Sequence, residues 1–159
     1  MICEHILGNL TDSQFAGHPV ETVEIPWHDA FKKLHKKTTS AGTEVGIRLD
    51  DSILTRGLRE GDVLGWNGSN VVAVTIPACE VIVVEAEPDH AHMMIKAAYE
   101  IGNRHAPLFW GENHCQLLTI YDPPMMEMLQ KLHGISVKVE CQKIDFDRRI
   151  SATVHSHHH

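Results

Sequence analysis

The chain has no extended cationic face. Its 159 residues carry 14 lysines and arginines against 21 aspartates and glutamates, a formal net charge of -7. The acidic excess is spread evenly: residues 1–76 hold 7 basic and 10 acidic side chains, and residues 77–159 hold 7 and 11. Without a cationic face there is nothing to collect phosphates, which argues against nucleic acid as a partner. The one short basic run, Lys32-Lys33-Leu34-His35-Lys36-Lys37, reads as a solvated strand or turn. Long apolar runs are missing as well, and none approaches the length that spans a bilayer. The start, Met1-Ile2-Cys3-Glu4-His5-Ile6, lacks a basic stretch followed by an apolar one. Export is therefore not indicated, and the cytoplasm is the expected location. Cys3, Cys79, Cys115 and Cys141 stand tens of residues apart with no C-x-x-C pair. That spacing argues against a zinc knuckle or a disulfide framework and fits scattered reduced thiols. Internal repeats are absent too.

What the chain does have is a core and histidine. Hydrophobic residues make up 43% of it, enough for one ordinary domain or two small ones. Residues 1–76 have the grammar of strands. Ile2–Leu7 and Val20–Trp27 read as short strands, and Val45, Ile47 and Leu49 alternate after Ala41-Gly42. Asp62–Trp66 and Asn70–Ile76 flank Asn67-Gly68, the strongest hairpin signal in the chain, because Asn-Gly tolerates the positive φ of a tight turn. Pro77 marks a boundary. Beyond it Glu80–Glu85 is a continuous apolar run, as expected of a central strand. Pro88-Asp89 reads as the cap of a helix carrying Met94, Ala98 and Ile101, with Gly102 as its stop. Leu108–Trp110 and Cys115–Ile120 form a hairpin around Gly111-Glu112-Asn113-His114. Asp122-Pro123-Pro124 opens a second helix with Met125, Met128, Leu129 and Leu132 on one face, where the methionines read as core. Ile135, Val137, Val139 and Cys141 alternate as a last strand. The expected fold class is α+β: an all-β domain over residues 1–76, a ferredoxin-like β-α-β-β-α-β domain over 77–145, and a flexible tail over 146–159.

Thirteen histidines are many for this length. His5, His18, His28, His35 and His133 look isolated, and an isolated histidine is usually a surface or helix-end residue. His90-x-His92, placed in the first turn of a helix, cannot share a face, and His114 falls at a hairpin tip. His105 is different, since it follows the helix over Ala97–Ile101 and would continue its apolar stripe. It reads equally well as a helix-end cap favouring the negative pole or as a metal ligand. Four of the last five residues, His155, His157, His158 and His159, are histidines that can chelate without prior folding, and imidazole suits Zn, Cu and Ni. A purification tag has the same form, but the serine within the run favours a native tail. A lone histidine is a poor metal site, since divalent transition metals want about four donors. Two-fold symmetry supplies a remedy: two His105 rings meeting near an axis, completed by tail imidazoles, make a shared site.

The chain resembles the UreE family of urease accessory proteins. The resemblance is carried by Gly42-Thr43-Glu44-Val45-Gly46-Ile47-Arg48-Leu49, by Leu58-x-x-Gly61-Asp62-Val63-Leu64, and above all by Ala97-Ala98-Tyr99-Glu100-Ile101-Gly102-Asn103-Arg104-His105-x-Pro107. It implies a nickel metallochaperone, without catalysis, whose N-terminal β domain is of a peptide-binding type. It further implies a homodimer paired through the second domain, with Ni(II) held by His105 of each subunit and further ligands from the terminal histidines. Zn(II) or Cu(II) are expected substitutes in vitro. The implied partners are an accessory GTPase and the urease apoprotein. Some members carry extra histidines before the second helix, where this chain has Ile120-Tyr121-Asp122-Pro123, and some have longer tails; both differences imply few metal ions per dimer. Two rivals stand beside this reading. One is a small acylphosphatase-like phosphohydrolase using Asn103 and Arg104, although the loop Glu85-Ala86-Glu87-Pro88 offers no phosphate cradle. The other is a metal-responsive regulatory module.

Overall fold

Apolar and polar residues alternate over Glu44–Arg48, where Val45 and Ile47 are buried, whereas Asp62–Asn67 and Asn70–Thr75 each bury a contiguous run. The structure, a computed structural model, describes residues 1–151. It divides at Pro77 and Ala78 into two compact units. In the first unit β1 (Ile2–Cys3), β5 (Glu44–Arg48) and β4 (Leu34–Thr38) form one sheet in the order β1-β5-β4. A second sheet has the order β2-β6-β7-β3, from β2 (Gly8–Asn9), β3 (Val20–Glu24), β6 (Asp62–Asn67) and β7 (Asn70–Thr75). The basic run forms β4, with Lys36 and Lys37 paired to Gly46 and Val45. A four-residue helix, α1 (Ile53–Arg56), precedes β6.

Three expectations change here. The strand sought over Ile2–Leu7 stops at Cys3, and the chain then passes to the other sheet at Gly8. The Val20–Trp27 strand ends at Glu24, because Pro26 has no N–H to offer a ladder and a 3-10 turn follows at Trp27–Asp29. The β6–β7 hairpin forms, yet Asn67 belongs to the strand and pairs with Asn70. Gly68 (φ +62°) is thus the first of two loop residues and supplies the positive φ alone.

Two buried carboxylates tie this unit together. Glu21 on β3 is only 2% exposed. Its Oε1 accepts from the hydroxyls of Thr39 (2.7 Å) and Thr43 (2.8 Å), and its Oε2 from the amides of Asn67 (2.9 Å) and Asn70 (3.0 Å). Four donors aimed at one carboxylate favour its charged form, led by Asn70, and hold its pKa down at about 2. Asp62, fully buried, takes both guanidinium nitrogens of Arg56 (2.7 and 2.9 Å) and the backbone N–H of Arg59 (2.8 Å).

In the second unit the element order is β8 (Cys79–Ala86), α2 (Met93–Asn103), β9 (Leu108–Trp110), β10 (Gln116–Ile120), α3 (Pro123–Gln130) and β11 (Ile135–Gln142). The sheet order β11-β8-β10-β9, antiparallel throughout, is the ferredoxin-like arrangement. Val81 to Val84 are all buried, as a central strand covered on both faces requires. Ile82 and Val84 join Ala97, Ile101, Met125 and Leu129 in the core beneath the helices, with Met128 packed at its edge. Burying a side chain such as Leu129, fully enclosed, contributes about 1.5–3 kcal/mol. α3 starts as its sequence demands: Asp122 Oδ2 accepts from the Met125 N–H at 3.2 Å, and prolines fill the first two helical positions.

Corrections apply at the ends of α2 and of the domain. Pro88-Asp89 does not cap α2 but forms a preceding turn, with Asp89 at φ +66°, and the helix begins at Met93. Gly102 lies inside the helix and does not stop it. The segment after Asp145, expected as the start of the tail, is pinned as far as Ser151. Phe146 is 4% exposed, Arg149 bridges to Phe109, and the Ile150 N–H donates to Leu108 O at 2.7 Å. One buried aromatic and the open edge of β9 achieve this, and neither leaves a periodicity in the sequence.

Candidate metal centre

The end of α2 sets the position of His105. Arg104 is the cap residue, and His105 takes the left-handed conformation at φ +56°. Its N–H donates to Gly102 O (2.9 Å), and the next N–H, of Ala106, donates to Ile101 O (3.3 Å). These two bonds define a Schellman motif, whose left-handed residue is ordinarily glycine. Ala106 packs back on the core that contains Ile101, completing the motif. A histidine here carries a Cβ where none is wanted, at a cost of about 1–2 kcal/mol. The strained residue is exposed, so packing of its ring offsets little of that cost. The expected cap function is thus performed by the backbone of residue 105, which leaves the imidazole to project into solvent at the negative pole of α2.

Along the outer face of α2, Ile95 and Tyr99 stand one turn apart at 76% and 67% exposure. Gly102, one turn further on, has open space around the position of a Cβ. This exposed stripe lies on α2, and His105 follows just beyond the end of the same helix. Arg104 turns back on the helix, donating to Glu100 Oε2 (2.7 Å) and Glu100 O (3.1 Å). A guanidinium committed in this way, at the opposite end of α2 from the β8–α2 connection that carries Glu87 and Asp89, gives the phosphohydrolase reading no support.

Among the described residues no three histidine, cysteine or carboxylate side chains are grouped so as to hold a metal ion. His105 belongs to no such group among the described residues. His155, His157, His158 and His159 lie outside the described residues. Sequence reasoning did miss one pair. His133, isolated in the sequence, has its Nε2 3.1 Å from Nε2 of His90. The signal was in the topology: β11 pairs antiparallel with β8, Ile135 opposite Ala86, so the residues just before one strand meet those just after the other. His90 and His92 also both precede the helix, so the objection that they could not share its face does not apply.

Two family models together cover nearly the whole chain. That of the UreE urease accessory protein N-terminal domain matches residues 3–77, and that of the C-terminal domain matches residues 79–159. This chain belongs to the UreE family of urease accessory proteins. A UreE from Acetivibrio thermocellus is 38% identical over 160 residues, covering both chains completely. One from Helicobacter pylori strain G27 is 34% identical over 154 residues, covering 97% of this chain and 88% of its own, and one from Helicobacter acinonychis is 33% identical over the same span. The family boundary between residues 77 and 79 coincides with the division between the two units. UreE membership supports a role in urease maturation as an accessory protein. Among the described residues no helix is long and apolar enough to cross a membrane.

Proposed function

We propose that the chain is a cytoplasmic nickel carrier for urease maturation, working as a homodimer in which two His105 imidazoles grip Ni(II) across a two-fold axis. The observation that carries this reading is the strained, solvent-facing His105 at the end of the exposed Ile95–Tyr99 stripe. A two-fold axis through that stripe buries both apolar faces and brings each His105 towards its copy, supplying a second imidazole donor. The negative poles of the two α2 helices then converge on the cation and favour it. His155, His157, His158 and His159 complete the coordination in this reading.

Such a site suits a cargo that must be given up. Neutral imidazole binds the metal, protonation competes with it, and a docked partner offers rival ligands. The accessory GTPase and the urease apoprotein are the partners in this proposal. Zn(II) or Cu(II) occupy the same donors in vitro, since imidazole affinity follows the general metal order. Titration calorimetry of the full chain with nickel chloride tests the assignment. His105→Ala is expected to abolish the tight class of site at one metal per two chains while the protein remains folded. Tight binding that persists unchanged in the variant overturns it.

A further inference from the structure

We infer that His90 and His133 form a second, solvent-open site for a borderline divalent cation such as Zn(II), Ni(II) or Cu(II), separate from His105 and contained within one chain. The two Nε2 atoms are 3.1 Å apart and the ring centres 4.8 Å apart, at an interplanar angle of 78°. A cation about 2.05 Å from each nitrogen, the usual imidazole distance, subtends an angle of about 98° across a 3.1 Å gap. That value lies between the octahedral and tetrahedral angles, so the bite fits either geometry without movement.

The alternative is a plain hydrogen bond between the rings. A linear N–H···N contact sets the two rings end to end, which for nitrogens 3.1 Å apart places their centres about 5.4 Å apart. The observed 4.8 Å is shorter, as when two ring axes converge on a common point. The protonation pattern agrees. His90 Nδ1 lies 2.9 Å from Pro88 O, and a carbonyl can only accept, so Nδ1 carries the hydrogen. In the neutral ring the lone pair is then on Nε2, facing His133. A backbone carbonyl that fixes the tautomer and orientation of an imidazole in this way is the usual support of a metal-binding histidine.

Both rings stand on ordered backbone. The Glu87 N–H donates to Gly134 O (2.8 Å), the His90 N–H to Glu87 O (3.0 Å), and the Met93 N–H to His90 O (2.9 Å). Gly134 adopts φ +76°, and a Cβ there would come within 2.5 Å of the His90 ring, so glycine is required for both reasons. His92 stacks near His90, ring centres 6.2 Å apart at 28°, and is placed to become a third donor by side-chain rotation. Water fills the remaining positions. The positive pole of α2 and the negative pole of α3 both end here and offset each other, so neither decides the matter. His133 is exposed and His90 half-buried, which suits capture and transfer of a cation rather than permanent storage.

Zn(II), being diamagnetic, is the probe, added to the full-length chain while imidazole nitrogens are followed by two-dimensional 1H–15N NMR. The Nε2 signals of His90 and His133 are expected to shift together. Equilibrium dialysis of His133→Gln and His90→Gln should each show one zinc fewer per chain, in a wild-type or a His105→Ala background alike. If zinc leaves both Nε2 signals in place, or either glutamine variant binds as much zinc as its parent, the contact is only a hydrogen bond and the inference fails. A His105→Ala chain with undiminished tight nickel binding would count against the dimer-bridging site and leave this one standing.

Discussion

Replacing His105 by glycine should make the protein more stable while removing the imidazole on which the proposed function depends. The left-handed conformation costs a residue with a Cβ about 1–2 kcal/mol, and glycine escapes that cost. Against this, glycine frees the unfolded chain, which costs about 0.5–1 kcal/mol relative to alanine. The residue is exposed and loss of its imidazole removes little packing, so the net expectation is a gain of about 0.5–1 kcal/mol. For a unit of this size that corresponds to an upward shift in Tm of about 2–8 °C. His105→Ala keeps the Cβ and the strain and should stay within about 0.5 kcal/mol of the parent. The assay is urea unfolding with chelator present, since bound metal would otherwise add its own stabilisation. Backbone amides of Val81–Val84 on β8 report the second unit alone. A glycine variant less stable than the histidine parent would refute the claim that residue 105 is strained, and with it the idea that the position is kept for its side chain.

Two further outcomes follow from buried polar groups and caps. Glu21 has a folded pKa of about 2 against an ordinary 4.5, so its contribution is complete above pH 4.5 and is lost as pH falls towards 2. The urea midpoint of the parent should therefore drop more steeply over that window than that of Glu21→Gln, and parallel curves would show that the carboxylate is not responsible. Asp122→Ala removes the acceptor for the Met125 N–H and should cost about 1 kcal/mol in chemical denaturation, with Asp122→Asn retaining most of it; an alanine variant as stable as the parent would dismiss the cap.

Periodicity made much of this protein legible in advance. The continuous run at Val81–Val84, the cap at Asp122 and the apolar positions of α3 each state their own structure, because burial and capping are local in sequence. The order of elements after Pro77 was sufficient for the ferredoxin-like topology, since few sheets accept that alternation. Gly102 misled because a glycine near a helix end usually terminates it, whereas here the Schellman bonds reach one turn further and place a histidine in the left-handed position. Phe146 could not be anticipated from a single aromatic in an aperiodic stretch.

The sequence alone therefore determined most of the longer strands, α2 and α3, the order of elements after Pro77 and the presence of His105 beyond a helix, because each depends on neighbours within a few residues. By contrast, β2 (Gly8–Asn9) and α1 (Ile53–Arg56) left no such pattern. Only the tertiary structure decided that His105 is strained and solvent-facing, that Ile95 and Tyr99 lead up to it uncovered, and that His90 meets His133 across 43 residues. Those features arise where separate loops and faces converge, and convergence is a property of strand register and packing that no local pattern encodes.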